Sequence, residues 1–194
     1  GEAYKFTAGM AAKYVEVLKN NVNFLSAPVN GKPVAMGLRG MMFPLDGMEG
    51  GWYRLRLADG MVGYVADGNA EAAAECTVPA EAFNLNGHIT DADGMGVKSV
   101  SFSEKDGVVS MSMEYSRVFD EAKGQVRWQY TTKYSGRIEG NALVFDRKVR
   151  YGVGNFELEN ATPDQMEAIK PVIVYYSPTL YDFIIDGKPL HGGE

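Results

Sequence analysis

Eight pairs in which Asn or Asp precedes Gly punctuate the sequence, and these turn signals most limit how the chain can fold. Asn-Gly and Asp-Gly tolerate the positive φ angles of tight hairpins. Most of the pairs are flanked by β-branched or aromatic residues, which favour strands. The pairs are Asn30-Gly31, Asp46-Gly47, Asp59-Gly60, Asp67-Gly68, Asn86-Gly87, Asp93-Gly94, Asp106-Gly107 and Asp186-Gly187. Repeated hairpins predict an all-β protein with mainly antiparallel strands.

Alternation of apolar and polar residues predicts long strands in the C-terminal part of the chain. Every second residue is apolar from Val109 to Tyr115, and most alternate residues from Val126 to Ile138 are apolar. Such strands have one buried and one solvated face. Strands longer than the usual ~5–6 residues twist and coil. The pattern therefore predicts a meander that curls toward a barrel, of lipocalin-like or similar form.

A change in composition at residues 69–75 predicts a domain boundary. This stretch, Asn-Ala-Glu-Ala-Ala-Ala-Glu, is small and acidic and favours a short helix or a polar linker. We therefore expect a small β domain at 1–75 and a larger antiparallel β domain at 76–194.

One helix is expected in the second domain, near residues 163–175. Thr162 can cap it and Pro163 suits its first turn. Pro171 leaves the end of this helix open, because proline inside a helix removes a hydrogen bond and clashes with the preceding turn. The run at 180–185 predicts a last strand before a turn.

Two segments of the first domain resemble bacterial SH3-like domains. The run VNFLSAP at 22–28 is similar to the Leu-Asn-Val-Arg-Ser-Gly-Pro signature of that family. The run GWYRLRLADGMVGYV at 51–65 resembles its Gly-Trp-Tyr-Lys-Val … Asp-Gly … Gly-Trp-Val ending, with Tyr64 in place of the second tryptophan. The resemblance spans about residues 13–68. It implies a small β-barrel, found mainly in bacterial extracytoplasmic and cell-wall proteins, that binds peptidoglycan or peptides or docks against a partner domain.

Aromatic residues of this SH3-like part are the candidate ligand-binding residues. Phe43, Trp52, Tyr53 and Tyr64 could form a groove, since aromatic faces bind sugars, prolines and cations. The alternative is that at least half of them are core, because a barrel of about 60 residues leaves few aromatics unused. The expected partner is a cell-wall peptide or glycan, or an envelope protein.

Two further functions remain open. Met111, Met113, Trp128 and Tyr130 could line a cavity for a small apolar ligand in the second domain, for which a volume of roughly 300 Å³ is expected. Side chains that fill this space are the alternative. The chain could also be a structural adaptor whose domains pack together and dock a protein partner.

Composition argues against several other functions. The formal charge of −6, of which −5 belongs to 76–194, does not favour nucleic-acid binding. The single cysteine, Cys76, excludes an internal disulfide and follows Glu75, which disfavours a reactive thiolate. The loop at 91–96 has a calcium-like Asp91 and Asp93, but Met95 stands where a ligand is required. We therefore expect no enzyme activity, no cofactor and no metal.

Localisation is inferred from the resemblance. No apolar run approaches the roughly 18 residues that cross a bilayer, and the first residues lack a signal-peptide core. Because the resemblance implies an envelope protein, we expect a periplasmic or extracellular protein from which a signal segment has been removed.

Overall fold

A computed structural model describes residues 13–123 and 125–192, with the side chains of all but 59, 119–121 and 125–128. Fifteen strands and one α-helix are found in these residues. They are β1 (Tyr14–Val17), β2 (Val22–Leu25), β3 (Pro33–Gly37), β4 (Met42–Glu49), β5 (Trp52–Arg56), β6 (Val62–Ala66), β7 (Ala70–Ala73), β8 (Asn86–Thr90), β9 (Gly96–Lys105), β10 (Val108–Asp120), β11 (Gln125–Glu139), β12 (Ala142–Gly152), α1 (Phe156–Glu159), β13 (Glu167–Ser177), β14 (Asp182–Ile185) and β15 (Lys188–Pro189).

The strands form two antiparallel sheets, one of which is a half-barrel, and this confirms the predicted all-β class. The first sheet has the order β3-β2-β6-β5-β4-β1-β7. The second has the order β15-β14-β13-β12-β11-β10-β9-β8, so neighbours in the chain are neighbours in the sheet. This second order is the meander that the alternation predicts.

The chain forms two compact units. Residues up to Thr77 form the first unit together with Tyr175–Pro189. Val78–Val174 form the second, together with 190–192. The first unit is therefore discontinuous in sequence, and strand β13 passes from the second unit into the first at Tyr175.

The core of the first unit comes from short strands whose alternate residues are apolar. In β2, Val22 and Phe24 are buried while Asn23 between them is exposed. The Phe24 ring meets the Phe43 ring edge to face, with centroids 5.0 Å apart. The side chains with no exposed surface in this core are Val15, Val17, Phe24, Leu55 and Val65.

In the second unit, the predicted alternation decides which residues are buried. Val109 and Met111 are fully buried and Tyr115 is nearly so, whereas Glu114 on the other face is exposed. Strand β10 pairs with β9 and β11 over almost its whole length. The predicted hairpin at 138–143 is present, because β11 ends at Glu139 and β12 begins at Ala142.

The Asp-Gly and Asn-Gly pairs do not all form hairpin turns. In Asp106-Gly107 and Asp186-Gly187 both residues have positive φ, as a tight hairpin requires, and the pairs join β9 to β10 and β14 to β15. Asp46-Gly47 instead lies inside β4, at a shift in the pairing with β5. Asn86-Gly87 begins β8. The dipeptide therefore marks a change of backbone direction or register as well as a turn.

The prediction of a helix near 163–175 is wrong. Thr162 and Gln165 form a capping box and Pro163 follows it, but they support only a 3-10 turn at Pro163–Gln165. From Glu167 the chain is the extended strand β13, which carries Pro171 and the β-branched run Val-Ile-Val. β-Branched residues favour strands and proline opposes a helix interior, so the cap does not propagate.

The α-helix of the described residues is the single turn α1, capped by the Asn155 side chain. No helix in the described part of the chain has both the length and the apolar character needed to cross a membrane.

The segment 69–75, predicted as a helix or linker, contains a strand. Strand β7 pairs with β1, with Ala70 opposite Val17 and Ala73 opposite Tyr14. Ala70 and Ala73 are buried and Glu71 is exposed. The backbone pairing with β1 overrides the weak helix preference of alanine and glutamate.

One glycine in the second sheet has no room for a side chain. Gly136 lies at a register shift between β11 and β12. A Cβ atom there would overlap the carbonyl oxygen of Val144 and lie 2.8 Å from the Phe145 Cα. Gly152, near the other end of the same strand pair, has no atom within 4 Å of such a Cβ.

We expect Gly136→Ala to lower the free energy of unfolding by about 1–3 kcal/mol, because the backbone of β12 must move away. Urea unfolding followed by circular dichroism measures this change. The matched variant Gly152→Ala should shift stability by no more than ~0.5 kcal/mol. Equal effects of the two variants would contradict the close approach at Gly136.

Candidate functional site

The four aromatic residues predicted as a groove lie on two different faces of the first sheet. Phe43 and Tyr53 are half-buried and pack against the core cluster of the first unit. Trp52 and Tyr64 alternate with core residues, because Tyr53 follows Trp52 and the buried Val65 follows Tyr64. They therefore lie on the face opposite the core. The four residues therefore do not share one face, and Trp52 and Tyr64 are the two that lie away from the core.

Trp52 and Tyr64 share their face with an ion-pair cluster. Tyr64 is paired across the strands with Arg54, and Trp52 with Ala66. Arg54 Nε lies 3.1 Å from Asp46 Oδ2, and Arg56 Nη2 lies 3.2 Å from Asp46 Oδ1. Hydrogen bonding to Tyr64 and attraction to Asp46 raise the pKa of Arg54. We call Trp52, Arg54, Arg56 and Tyr64 the Trp52 surface.

The first unit also contains a buried carboxylate, Glu16 on β1, which is 1% exposed. Its Oε2 accepts a hydrogen bond of 2.6 Å from the Ser177 hydroxyl, and its Oε1 accepts one of 3.3 Å from the Thr179 backbone N–H. Burial raises the pKa of Glu16, the hydrogen bonds from Ser177 and Thr179 oppose this, and the nearby Glu71 charge adds to it. Perturbed carboxylates often mark active sites, but this one is sealed from solvent and held by its own chain. Its hydrogen bonds join β1 to residues 177–179 of the same unit.

The acidic loop at 91–96 is held by one tyrosine hydroxyl and one arginine side chain. Tyr115 donates a 2.6 Å hydrogen bond to Asp91 Oδ2, and Arg117 Nη2 lies 2.5 Å from Asp93 Oδ2. Arg117 holds the pKa of Asp93 below its usual range, and the bond to Asp91 raises the pKa of Tyr115. In the described residues, no three His, Cys, Asp or Glu side chains form a group suited to a metal ion.

The two histidines and the cysteine, which are the side chains that an enzyme would most readily use, lie among other groups of the protein. His88 Nδ1 lies 3.2 Å from Ser99 Oγ, and His191 Nε2 contacts the Asn86 carbonyl oxygen. Cys76 is half-buried in the segment that follows β7. The absence of enzyme activity stays a prediction.

One face of the second sheet carries a cavity of about 60 Å³ across β9–β12. We call its lining the tyrosine pocket, which consists of Lys98, Tyr115, Tyr130, Thr132, Tyr134 and Arg150, with Met113 beside them. Of the residues predicted to line an apolar cavity, Met113 and Tyr130 are here and Met111 is fully buried. Trp128 lies outside the residues whose side chains are described.

Lys98, Thr132 and Arg150 of this pocket were missed by the sequence reading. The alternation already places the tyrosines of β10 and β11 on one face, but the cations come from the flanking strands. Lys98 is paired with Tyr115, and Arg150 with Thr132. Only the register of β9 and β12 against their neighbours could have shown this, and alternation within a strand does not reveal register.

Comparison of the chain with protein-family models, with curated proteins and with solved structures found no match in any of the three. The SH3-like resemblance therefore rests on the residues of the two segments at 22–28 and 51–65.

We expect Glu16→Gln to become more stabilising relative to wild type as the pH rises from about 4 to 8. A raised carboxyl pKa means that the folded state favours the protonated form. Protonated Glu16 therefore contributes fully to the free energy of unfolding below the ordinary glutamate pKa of ~4.3. This contribution is lost as pH rises through the folded-state pKa. Glutamine removes this loss.

Urea unfolding at several pH values, followed through the amide signals of Val15 and Val17, measures the difference. Glu49→Gln, at an exposed glutamate on β4, is the matched control and should show no such trend. A difference between Glu16→Gln and wild type that does not vary with pH would contradict the assignment of Glu16 as a buried carboxyl group with a raised pKa.

Proposed function

We propose that the chain is a non-catalytic binding protein of the bacterial cell envelope, and that the Trp52 surface recognises a cell-wall peptide or glycan. The observation that carries this proposal is the position of Trp52 and Tyr64 together on the strand face opposite the core. The packed face of the same strands already fills the interior of the unit. The aromatic side chains on the other face are therefore available for a ligand.

The chemistry of the Trp52 surface suits this class of ligand. Half-buried aromatic rings offer flat apolar area to sugar rings and prolines at small entropic cost. Arg54 and Arg56 are fixed by Asp46, so their remaining N–H groups are ordered donors for carbonyl or carboxylate oxygens. The resemblance of 51–65 to SH3-like domains supports the same ligand class and a periplasmic or extracellular location.

The structure gives less support to the other two functions, a site for a small apolar ligand and an adaptor. A small apolar ligand in the second unit needs a larger and less polar space than a cavity of about 60 Å³ lined in part by Lys98 and Arg150. An adaptor that docks an envelope protein would use the Trp52 surface as well, and it differs from the main proposal in the ligand that binds there.

We expect muropeptides, stem peptides or glycan strands to bind saturably in a calorimetric or NMR titration. Trp52→Ala and Tyr64→Ala should each weaken this binding by about tenfold, the upper end of a single aromatic contact. Met36→Ala, which removes a side chain that is 54% exposed on β3, is the matched control and should bind as wild type.

Two results would contradict the proposal. One is the absence of saturable binding by any of the three fragment classes, and the other is equal binding by Trp52→Ala and wild type. Phe43→Ala and Tyr53→Ala are unsuitable as binding variants, because both side chains pack against the core and their loss destabilises the unit.

A further inference from the structure

We infer that the tyrosine pocket of the second unit binds a small ligand that carries an oxyanion group, a carboxylate or a phosphate, on a flat body. This site is separate from the Trp52 surface and does not depend on the proposed function. The inference rests on three features of the pocket, which are its two cations outside the ion pairs of the described residues, its ordered donors and its aromatic walls.

The positive charge of the pocket has no acidic partner in the part of the chain that the structure describes. Ion pairs there involve Arg54, Arg56, Arg117 and Arg137, but neither Lys98 nor Arg150. Asp91, which accepts a hydrogen bond from Tyr115 of the pocket, is ion-paired with Arg117, as is Asp93. Two cations thus share one cavity in a chain of net charge −6. An anion that entered would gain an attraction that the protein itself does not supply.

Arg150 is held in a fixed position at the pocket. Its Nε donates a 3.1 Å hydrogen bond to Thr132 Oγ1, and Thr132 is only 3% exposed. Its guanidinium carbon lies 4.3 Å from the centre of the Tyr130 ring. The bond and the ring together orient the guanidinium plane while its terminal N–H groups remain for a ligand. Paired guanidinium N–H groups match the two oxygens of a carboxylate or phosphate.

The aromatic walls select the rest of the ligand. The centroids of the Tyr115 and Tyr130 rings are 5.1 Å apart and the rings are inclined by 31°, so they pack against each other in an offset stack that forms one aromatic wall. The Tyr115 hydroxyl is anchored on Asp91, which keeps its ring in place. A cavity of about 60 Å³ has room for an oxyanion group of a few atoms. The body of the ligand would then lie against the tyrosines at the cavity mouth.

The test is a titration of the full chain with benzoate, phenyl phosphate and inorganic phosphate, with neutral benzamide as the comparison. We expect at least one oxyanion probe to bind saturably and to shift the amide signals of Tyr130 and Thr132. Benzoate against phenyl phosphate distinguishes a carboxylate from a phosphate, and inorganic phosphate shows whether the flat body is needed. Binding should weaken as salt is added, because the attraction is between charges.

Arg150→Gln and Lys98→Gln should each weaken probe binding by about tenfold or more, as loss of a charge-assisted hydrogen bond does. Lys133→Gln is the matched control, because Lys133 lies next to Thr132 on β11 and therefore on the opposite face of the strand. If Arg150→Gln does not fold by circular dichroism, Lys98→Gln decides.

The inference is overturned if no oxyanion probe binds saturably at millimolar concentration or if benzamide binds as tightly as benzoate. It is also overturned if Lys133→Gln weakens binding as much as Lys98→Gln does. Loss of binding at the Trp52 surface would not affect it, because the two sites are tested with different probes and different variants.

Discussion

The buried Glu16 carboxyl group requires hydrogen-bond donors, and it takes them from a segment far along the chain. A carboxylate that is 1% exposed has lost its water and must find donors in the protein. Its donors are Ser177 Oγ and the Thr179 N–H, and Ser177 is 161 residues away in sequence. The end of β13 and the strands after it belong to the first unit, and these hydrogen bonds are among the contacts that join them to it. A neutral apolar residue at position 16 would not impose this requirement.

The pairing of charges separates structural sites from candidate binding sites. Asp46 fixes Arg54 and Arg56, and Asp91 and Asp93 fix Arg117. Exposed ion pairs contribute little to stability, so their main effect here is to order side chains and to use up local acids. Where the acids are used up, the remaining cations face solvent or a ligand. In the tyrosine pocket, two cations that form no ion pair with the described residues meet a cavity and aromatic walls.

Prediction from sequence succeeded where the information is local. Tight turns at Asp106-Gly107 and Asp186-Gly187 follow from the backbone preferences of the two residues, and the faces of β10 follow from its period of two. It failed at 163–175 because Thr162 and Pro163 are good helix-start signals, whereas the strand that follows is selected by its neighbours in the sheet. For the candidate sites, it named Trp52 and Tyr64 together with two core aromatics, and it missed the cations of the tyrosine pocket.

Turn chemistry and alternation along single strands are local properties, and they were enough to predict the all-β class, the order of the long hairpins and which side chains of each strand share a face. The folded chain was needed to show which face of β5 and β6 is core, which cations of β9 and β12 meet the tyrosines, and that 175–189 belong with residues more than a hundred positions earlier. Register and burial arise from contacts between distant segments, and no pattern within a single segment encodes them.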